Sequence, residues 1–198
     1  MEKTSVERKL KGVLSPLRYR HSLGVMNLAR ELAVLYGVPP ETAALAGLLH
    51  DVAREMEPDR LVAIAQEHGL VLSENERSAP ILLHGKVGKL LLASEWGITD
   101  ADVLSAVALH VTGAPEMSLL AQIVFLADFS EPGRSFFSSN LARTLAKSNR
   151  IAALQYVFQQ VINYLLNHGF VLEVPTVQAW NQLMINGDLY RGRLANDG

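Results

Sequence analysis

An all-α fold is what this sequence predicts, and three observations carry the prediction. Nearly every periodic stretch repeats its apolar residues at helical spacing, no stretch alternates apolar and polar residues convincingly in the manner of a strand, and residues that start and stop helices punctuate the chain. The first helix, expected over 4–14, lies in 1-MEKTSVERKLKGVL-14, where charged and apolar residues alternate without the continuous apolar core of a signal peptide. A second runs over 16–36 to the stop at Gly37, and Pro39-Pro40-Glu41 supplies prolines to the first turn of a third over 40–53. A fourth is expected over 58–68, ending at Gly69. Ser73-Glu74-Asn75-Glu76 then reads as a capping box ahead of a helix over 80–96 that stops at Gly97. Thr99 precedes 100-DADVLSAVALH-110, and further helices follow over 118–128, 148–168 and 175–186, with Gly113 and Gly169 as stops. Between them, 129-FSEPGRSFFSSN-140 is rich in Ser, Pro and Gly and is expected to be irregular and to carry something other than core.

Length and composition bound what such a chain can do. With 198 residues and 49% hydrophobic content, residues 1–187 can bury one core as a single globular domain, followed by a polar tail over 188–198. A net charge of -2 and no Lys/Arg run longer than two residues leave no basic field for a nucleic acid backbone. The absence of cysteine excludes disulfides and thiolate ligands and fits the cytoplasm. Apolar runs far shorter than the ~18 residues of a membrane span make a membrane an unexpected partner.

Several polar side chains fall on faces that should be buried. By helical phase His21 shares a face with Gly24, Val25, Leu28 and Leu32; His50 follows Ala43, Ala46 and Gly47; His110 extends Val103, Ala106 and Val107; and Asp128 extends Ala121, Val124 and Phe125. A buried imidazole or carboxylate destabilises the fold unless it is hydrogen-bonded or paired, and a shared metal ion would satisfy several at once. An oxygen and nitrogen donor set that includes Asp51 suits Fe, Mn, Zn, Co or Ni. Phase alone also nominates His68 and His168, but each precedes a Gly stop, the pattern of a structural histidine at a helix C-terminus. His84, inside 82-LLHGK-86, also precedes a Gly, but the apolar pattern continues through Val87, Leu90 and Leu91 as though the helix did not stop, which leaves it open; an isolated His50-Asp51 pair is nearly explicable as packing.

Taken together, 21-HSLGV-25, 47-GLLHDVAR-54, 82-LLHG-85, 110-HVTGAPEMS-118 and 124-VFLADFSEPGR-134 resemble the HD-domain metal-dependent phosphohydrolases. They look most like the YqeK group, bacterial hydrolases that cut diadenosine tetraphosphate symmetrically into two ADP. The resemblance covers about residues 16–185 and implies an HD-type helical bundle with a metal site in its core. Carried over, it implies metal ligation by His21, His50, Asp51, His84, His110 and Asp128 in an iron-preferring, dinuclear site. Catalytic roles fall on Asp51, Arg54 and Asp128, and substrate contacts on Arg18, His84, Arg54, Thr112, Gly113 and Arg134. The implied mechanism is in-line attack on a β-phosphorus by a water that two ions bridged by Asp51 activate, with Lys86 as a further phosphate cation and adenosine resting against the aromatics of 129–137. Three departures bear on substrate preference: Arg54 where the family has Lys, Val111 where a second Thr is common, and Phe129-Ser130 where Tyr and Ile are usual. Two other readings compete: an HD-type phosphohydrolase for another nucleotide or a cyclic dinucleotide, and a non-catalytic metal-bound helical sensor or scaffold. Phe136, Phe137 and Trp180 offer apolar surface for a homodimer.

Overall fold

In the computed structural model, which describes residues 3–186, there is no strand among the described residues. The helices are α1 (Lys3–Val13), α2 (Pro16–Tyr36), α3 (Pro40–Leu49), α4 (Pro58–Glu67), α5 (Glu74–Ser78), α6 (His84–Glu95), α7 (Ala101–Leu109), α8 (Leu119–Ser130), α9 (Phe137–Ser148), α10 (Arg150–Asn167) and α11 (Val174–Asn186), with a 3-10 turn at Pro80–Leu83 before α6. The tail expected over 188–198 lies outside the described residues.

α2, α3, α7 and α8 form the centre, because α3 and α8 are apolar nearly all round and can only exist wrapped by neighbours. α6 packs on α7, α4 on α6, and α1 on α2; α9 and α10 cover α8, with α11 against α10. The Ser15 side chain caps α2 by accepting from Arg18 N, Pro16 follows at the first turn, and Gly37 in the left-handed region ends the helix. Ser15 also binds Glu55, its N–H donating at 2.6 Å and its hydroxyl at 2.7 Å, which ties the start of α2 to the turn after α3.

Several boundaries differ from the sequence expectation, each for a local reason. α3 stops at Leu49 and not near 53: residues 50–55 form successive turns in which Val52 N–H reaches Leu49 O and Arg54 N–H reaches Asp51 O. The helix expected over 80–96 divides at Leu83, where Pro80 starts a 3-10 turn before α6 opens on His84. The cap of α7 is Asp100, one residue after Thr99; its carboxylate accepts from Asp102 N and Val103 N. The capping box at Ser73 is present in full and heads the short α5, a helix the periodicity did not reveal. α9 runs through 137–140 and on to Ser148, where no helix was expected. Its buried stripe is Ser139, Ala142 and Ala146, too small to register as an apolar pattern but suited to close packing on its neighbours. His68 and His168 sit at helix C-caps as expected, their Nδ1–H groups donating to Ile64 O at 2.9 Å and Tyr164 O at 2.7 Å.

Gly113 ends the turn after α7 with φ 65°, and a Cβ there would stand 2.5 Å from Cζ of Phe158, a ring stacked on Phe125 at 4.6 Å. Left-handed strain and overpacking then act together, at roughly 1–2 and 1–3 kcal/mol. Gly113→Ala is therefore expected to destabilise the protein by about 2–5 kcal/mol, read as a lowered urea midpoint at unchanged slope.

Candidate metal centre

Five elements deliver six polar side chains to one place in the core. His21 comes from the second turn of α2, His50 from the C-cap of α3, Asp51 from the turn behind it, His84 from the first residue of α6, His110 from the C-cap of α7 and Asp128 from the last turn of α8. His50, Asp51, His84 and His110 are buried. Three groups among the six bring their ligand atoms within 4.8 Å of one another: His21, His50 and Asp51; His50, His110 and Asp128; and Asp51, His84 and His110. The two oxygens of Asp51 divide the set. Oδ2 lies 3.3 Å from His50 Nε2 and 3.8 Å from His21 Nε2, whereas Oδ1 lies 3.3 Å from His84 Nε2 and 3.5 Å from His110 Nε2. Asp128 Oδ1 belongs with the first pair, 2.9 Å from His21 Nε2 and 3.6 Å from His50 Nε2.

One device aims three of the rings. Nδ1 of His50, His84 and His110 each meets the carbonyl three residues back, at Gly47 O (2.7 Å), Ile81 O (2.5 Å) and Val107 O (2.7 Å). A carbonyl only accepts, so each Nδ1 carries a proton and each ring turns its Nε2 inward, the atom that can offer a lone pair to a metal ion. The residues therefore fit a metal ion. His84 Nε2 and His110 Nε2 face each other at 3.0 Å, a contact that repels between two neutral rings protonated at Nδ1 unless a cation or an added proton lies between them. His50 Nε2 is fully buried and makes no hydrogen bond among the described residues, its two carboxylate neighbours lying near it without the right geometry.

The field of the site points the same way. Burial pushes the pKa of His50 down, but the carboxylates of Asp51 and Asp128 outweigh it and hold it up at about 10. Burial would raise Asp51, yet His50 first, with His110 and His84 beside it, keeps it well below the usual carboxylate range. Asp128 is held low against burial by His21, His50 and Arg134. Burial lowers His84. Two ionised carboxylates thus sustain positive charge at the centre of the cluster, as a cation site requires.

Around the cluster the structure distributes the other expected residues unequally. Arg18 donates to Asp51 Oδ2 at 2.9 Å, and Arg134 donates to Asp128 Oδ1 at 2.8 Å and to the Asp128 carbonyl at 3.1 Å. The Arg54 guanidinium, half-buried, has no hydrogen bond or ion pair among the described residues. Lys86 is taken by Glu76 at 2.5 Å, the buried acid of the α5 capping box. Thr112 donates its hydroxyl to Gly113 O at 2.9 Å and accepts at its carbonyl from Thr176 Oγ1 at 2.8 Å, so Thr112 and Gly113 serve the turn behind His110. Beside the cluster lies a cavity of about 790 Å³, bordered by His110, Asp128 and Arg134 at one end and by Phe129 and Phe136 along a side. Phe136 is partly exposed there, Phe137 is 84% exposed, and Trp180 packs against the core.

One participant was not found by reading the sequence. Glu131, just past α8 and buried, meets His21 Nδ1 at 3.1 Å and accepts from Gly133 N–H at 2.6 Å. Arg143 fixes its backbone, donating to Ser130 O at 2.6 Å and Glu131 O at 3.2 Å. Glu131 thereby does for His21 what backbone carbonyls do for the other three rings. A signal was present: Gly24 sits inside α2, where glycine is costly, and a Cβ there would overlap the Glu131 carboxylate, 2.9 Å from its Cδ.

A sequence model of the HD domain matches residues 18–132, a span that includes all six converging side chains and Glu131. The chain belongs to the HD-domain family. Relatives of this HD-domain chain extend the match beyond that span. It is 36% identical to a symmetrical bis(5'-nucleosyl)-tetraphosphatase of Halalkalibacterium halodurans, over 87% of this chain and 91% of the relative. A protein of the same description from Bacillus subtilis is 32% identical, over 88% of this chain and 94% of the relative. In three dimensions the HD-domain chain is similar to a solved protein of Clostridium acetobutylicum, described as a predicted HD superfamily hydrolase involved in NAD metabolism. The TM-score is 0.92 at 35% identity, over 94% of this chain and 99% of the other.

Proposed function

We propose that this HD-domain protein is a divalent-metal-dependent hydrolase that cleaves diadenosine tetraphosphate symmetrically, adding water across the central P–O–P bridge to give two ADP. The observation that carries the reading is the division of Asp51: each carboxylate oxygen faces its own pair of histidines, the arrangement of a carboxylate that bridges two ions. The printed descriptions of the Halalkalibacterium halodurans and Bacillus subtilis relatives support the substrate.

His21, His50 and Asp128 with Asp51 Oδ2 would hold one ion, and His84 and His110 with Asp51 Oδ1 the other. The second set has only three protein donors, which leaves coordination positions open, as a catalytic site needs. Bound there, divalent ions supply Lewis acidity to phosphate oxygens and a water of lowered pKa. Arg18 and Arg134 each spend part of their fork on a ligand carboxylate and keep N–H groups for phosphate, while Arg54, unpaired among the described residues, would meet the polyphosphate directly. For His84 the substrate contact is secondary to ligation, and for Thr112 and Gly113 the proposed role is to hold the turn that fixes His110. The leaving group is a terminal phosphate that departs with little protonation, so no side chain is assigned as general acid. Iron is the expected ion among those an N/O donor set accepts, and the cytoplasm the expected compartment.

Product analysis tests the reading. Metal-loaded protein is expected to convert diadenosine tetraphosphate to ADP alone, with one solvent oxygen entering per two ADP. ATP with AMP as products, or turnover of another nucleotide while diadenosine tetraphosphate stays intact, would contradict it.

A further inference from the structure

The loop that leads from His110 to α8 is gripped by the two C-terminal helices, which lie wholly beyond the stretch that the HD-domain model matches. Thr176, buried in the first turn of α11, donates its hydroxyl to the Thr112 carbonyl at 2.8 Å. Further along α11, the side-chain oxygen of Gln182 accepts from the Glu116 N–H at 2.7 Å. Phe158 of α10 lies so close to Gly113 that no Cβ fits between them. Both hydrogen bonds hold backbone groups, so they fix the path of the loop itself.

Glu116 marks where that path is strained. It is the one non-glycine residue at positive φ among the described residues, at 56°. The left-handed conformation is unfavourable for an L side chain and persists only where the surroundings impose it. The Gln182 acceptor supplies part of that constraint.

The same path decides where His110 stands. Thr112 lies two residues past it, and Val111 between them reaches α6, where a Cβ on Gly85 would stand 2.9 Å from Val111 Cγ2. Gly85 follows His84, which shares the Oδ1 side of Asp51 with His110. A shift of residues 111–113 therefore disturbs both rings, and two Nε2 atoms 3.0 Å apart leave little tolerance for it. The Oδ2 side draws on His21 in α2, His50 at the end of α3 and Asp128 in the last turn of α8, at the opposite end of α8 from this loop.

We propose that Thr176 and Gln182 are positioning residues for the ion beside His84 and His110, so that α11 sets the affinity of one metal site and not of the other. The inference rests on the two-ion reading above.

Chelator competition on metal-loaded protein tests it, read as the number of ions held and the affinity of each, with melting curves of the metal-free protein as the control for folding. Wild type is expected to hold two ions. The double variant T176V/Q182A is expected to weaken one of them by about tenfold or more, the scale seen when a group that orients a ligand is lost, and to leave the other within about twofold. Thr176→Val keeps the shape and removes the hydroxyl, whereas Thr176→Ser keeps the hydroxyl and is expected to retain wild-type affinity. Glu116→Gly relieves the left-handed strain, so in that background Gln182→Ala is expected to change affinity little. Unchanged metal affinity in T176V/Q182A, or equal losses at both ions, overturns the inference. Failure of Thr176→Ser to retain affinity removes Thr176 from the role, and an undiminished Gln182→Ala effect beside Glu116→Gly removes Gln182. A single ion in wild type whose affinity still depends on Thr176 and Gln182 supports the positioning role and overturns the two-ion reading. Selective weakening of one ion, combined with no turnover of diadenosine tetraphosphate by wild type, supports the inference and overturns the hydrolase reading.

Discussion

Asp51→Asn is expected to abolish both metal retention and hydrolysis while leaving the metal-free fold in place. The substitution keeps the side chain's size and removes the negative charge shared between the two histidine pairs. Metal ions contribute several kcal/mol of transition-state charge stabilisation, and a loss of about 4 kcal/mol corresponds to roughly a thousandfold in kcat/KM. The accompanying readout is thermal. Wild-type protein given metal at about a hundred times its Kd gains about 2.7 kcal/mol by linkage, and the variant is expected to gain almost none. A variant that keeps its metal content and its metal-dependent melting shift would remove Asp51 from the centre of the site.

Gly24→Ala tests the support of that site from behind. Two effects oppose each other. Alanine raises helix propensity by about 1 kcal/mol, whereas its Cβ displaces a buried carboxylate from both His21 and the Gly133 N–H, at about 1–3 kcal/mol. Stability is therefore expected to change little, but His21 loses the partner that orients it. Losses of this kind lower metal affinity by about 10–100-fold. Chelator competition should show Gly24→Ala and Glu131→Ala with similar losses. In the Glu131→Ala background the clash is gone, so adding Gly24→Ala is expected to leave affinity unchanged and to raise stability by about 1 kcal/mol. Additive losses in metal affinity would mean that Gly24 acts on something other than Glu131.

What the sequence made legible follows from which interactions have a period. The core helices and the inward aim of His21, His50, His110 and Asp128 are visible because a buried helical face repeats, and a polar residue interrupting it stands out. His84 is ambiguous in the sequence because the His-Gly of a helix stop lies inside an apolar pattern that continues; the structure shows it opening a new helix after the 3-10 turn at Pro80–Leu83, so the pattern runs on past it. Glu131 lies past the end of α8, in a turn with no periodicity, and its partner His21 is 110 residues away. α9 escaped notice because it buries Ser139, Ala142 and Ala146, residues that carry almost no hydrophobic signal. Lys86 looked like a phosphate ligand until its distant acid, Glu76, was brought to it by the fold. Charge pairs and small-residue contacts are set by tertiary structure, so a single sequence exposes them only where a glycine such as Gly24 marks the required space.

The central claim is that six side chains from five elements hold two ions with Asp51 between them. Anomalous diffraction from crystals of metal-loaded protein tests it most directly. The expected result is two peaks, one beside His21, His50 and Asp128 on the Oδ2 side of Asp51, and the other beside His84 and His110 on the Oδ1 side. A single fully coordinated ion, or peaks that leave either histidine pair without a metal neighbour, would contradict it.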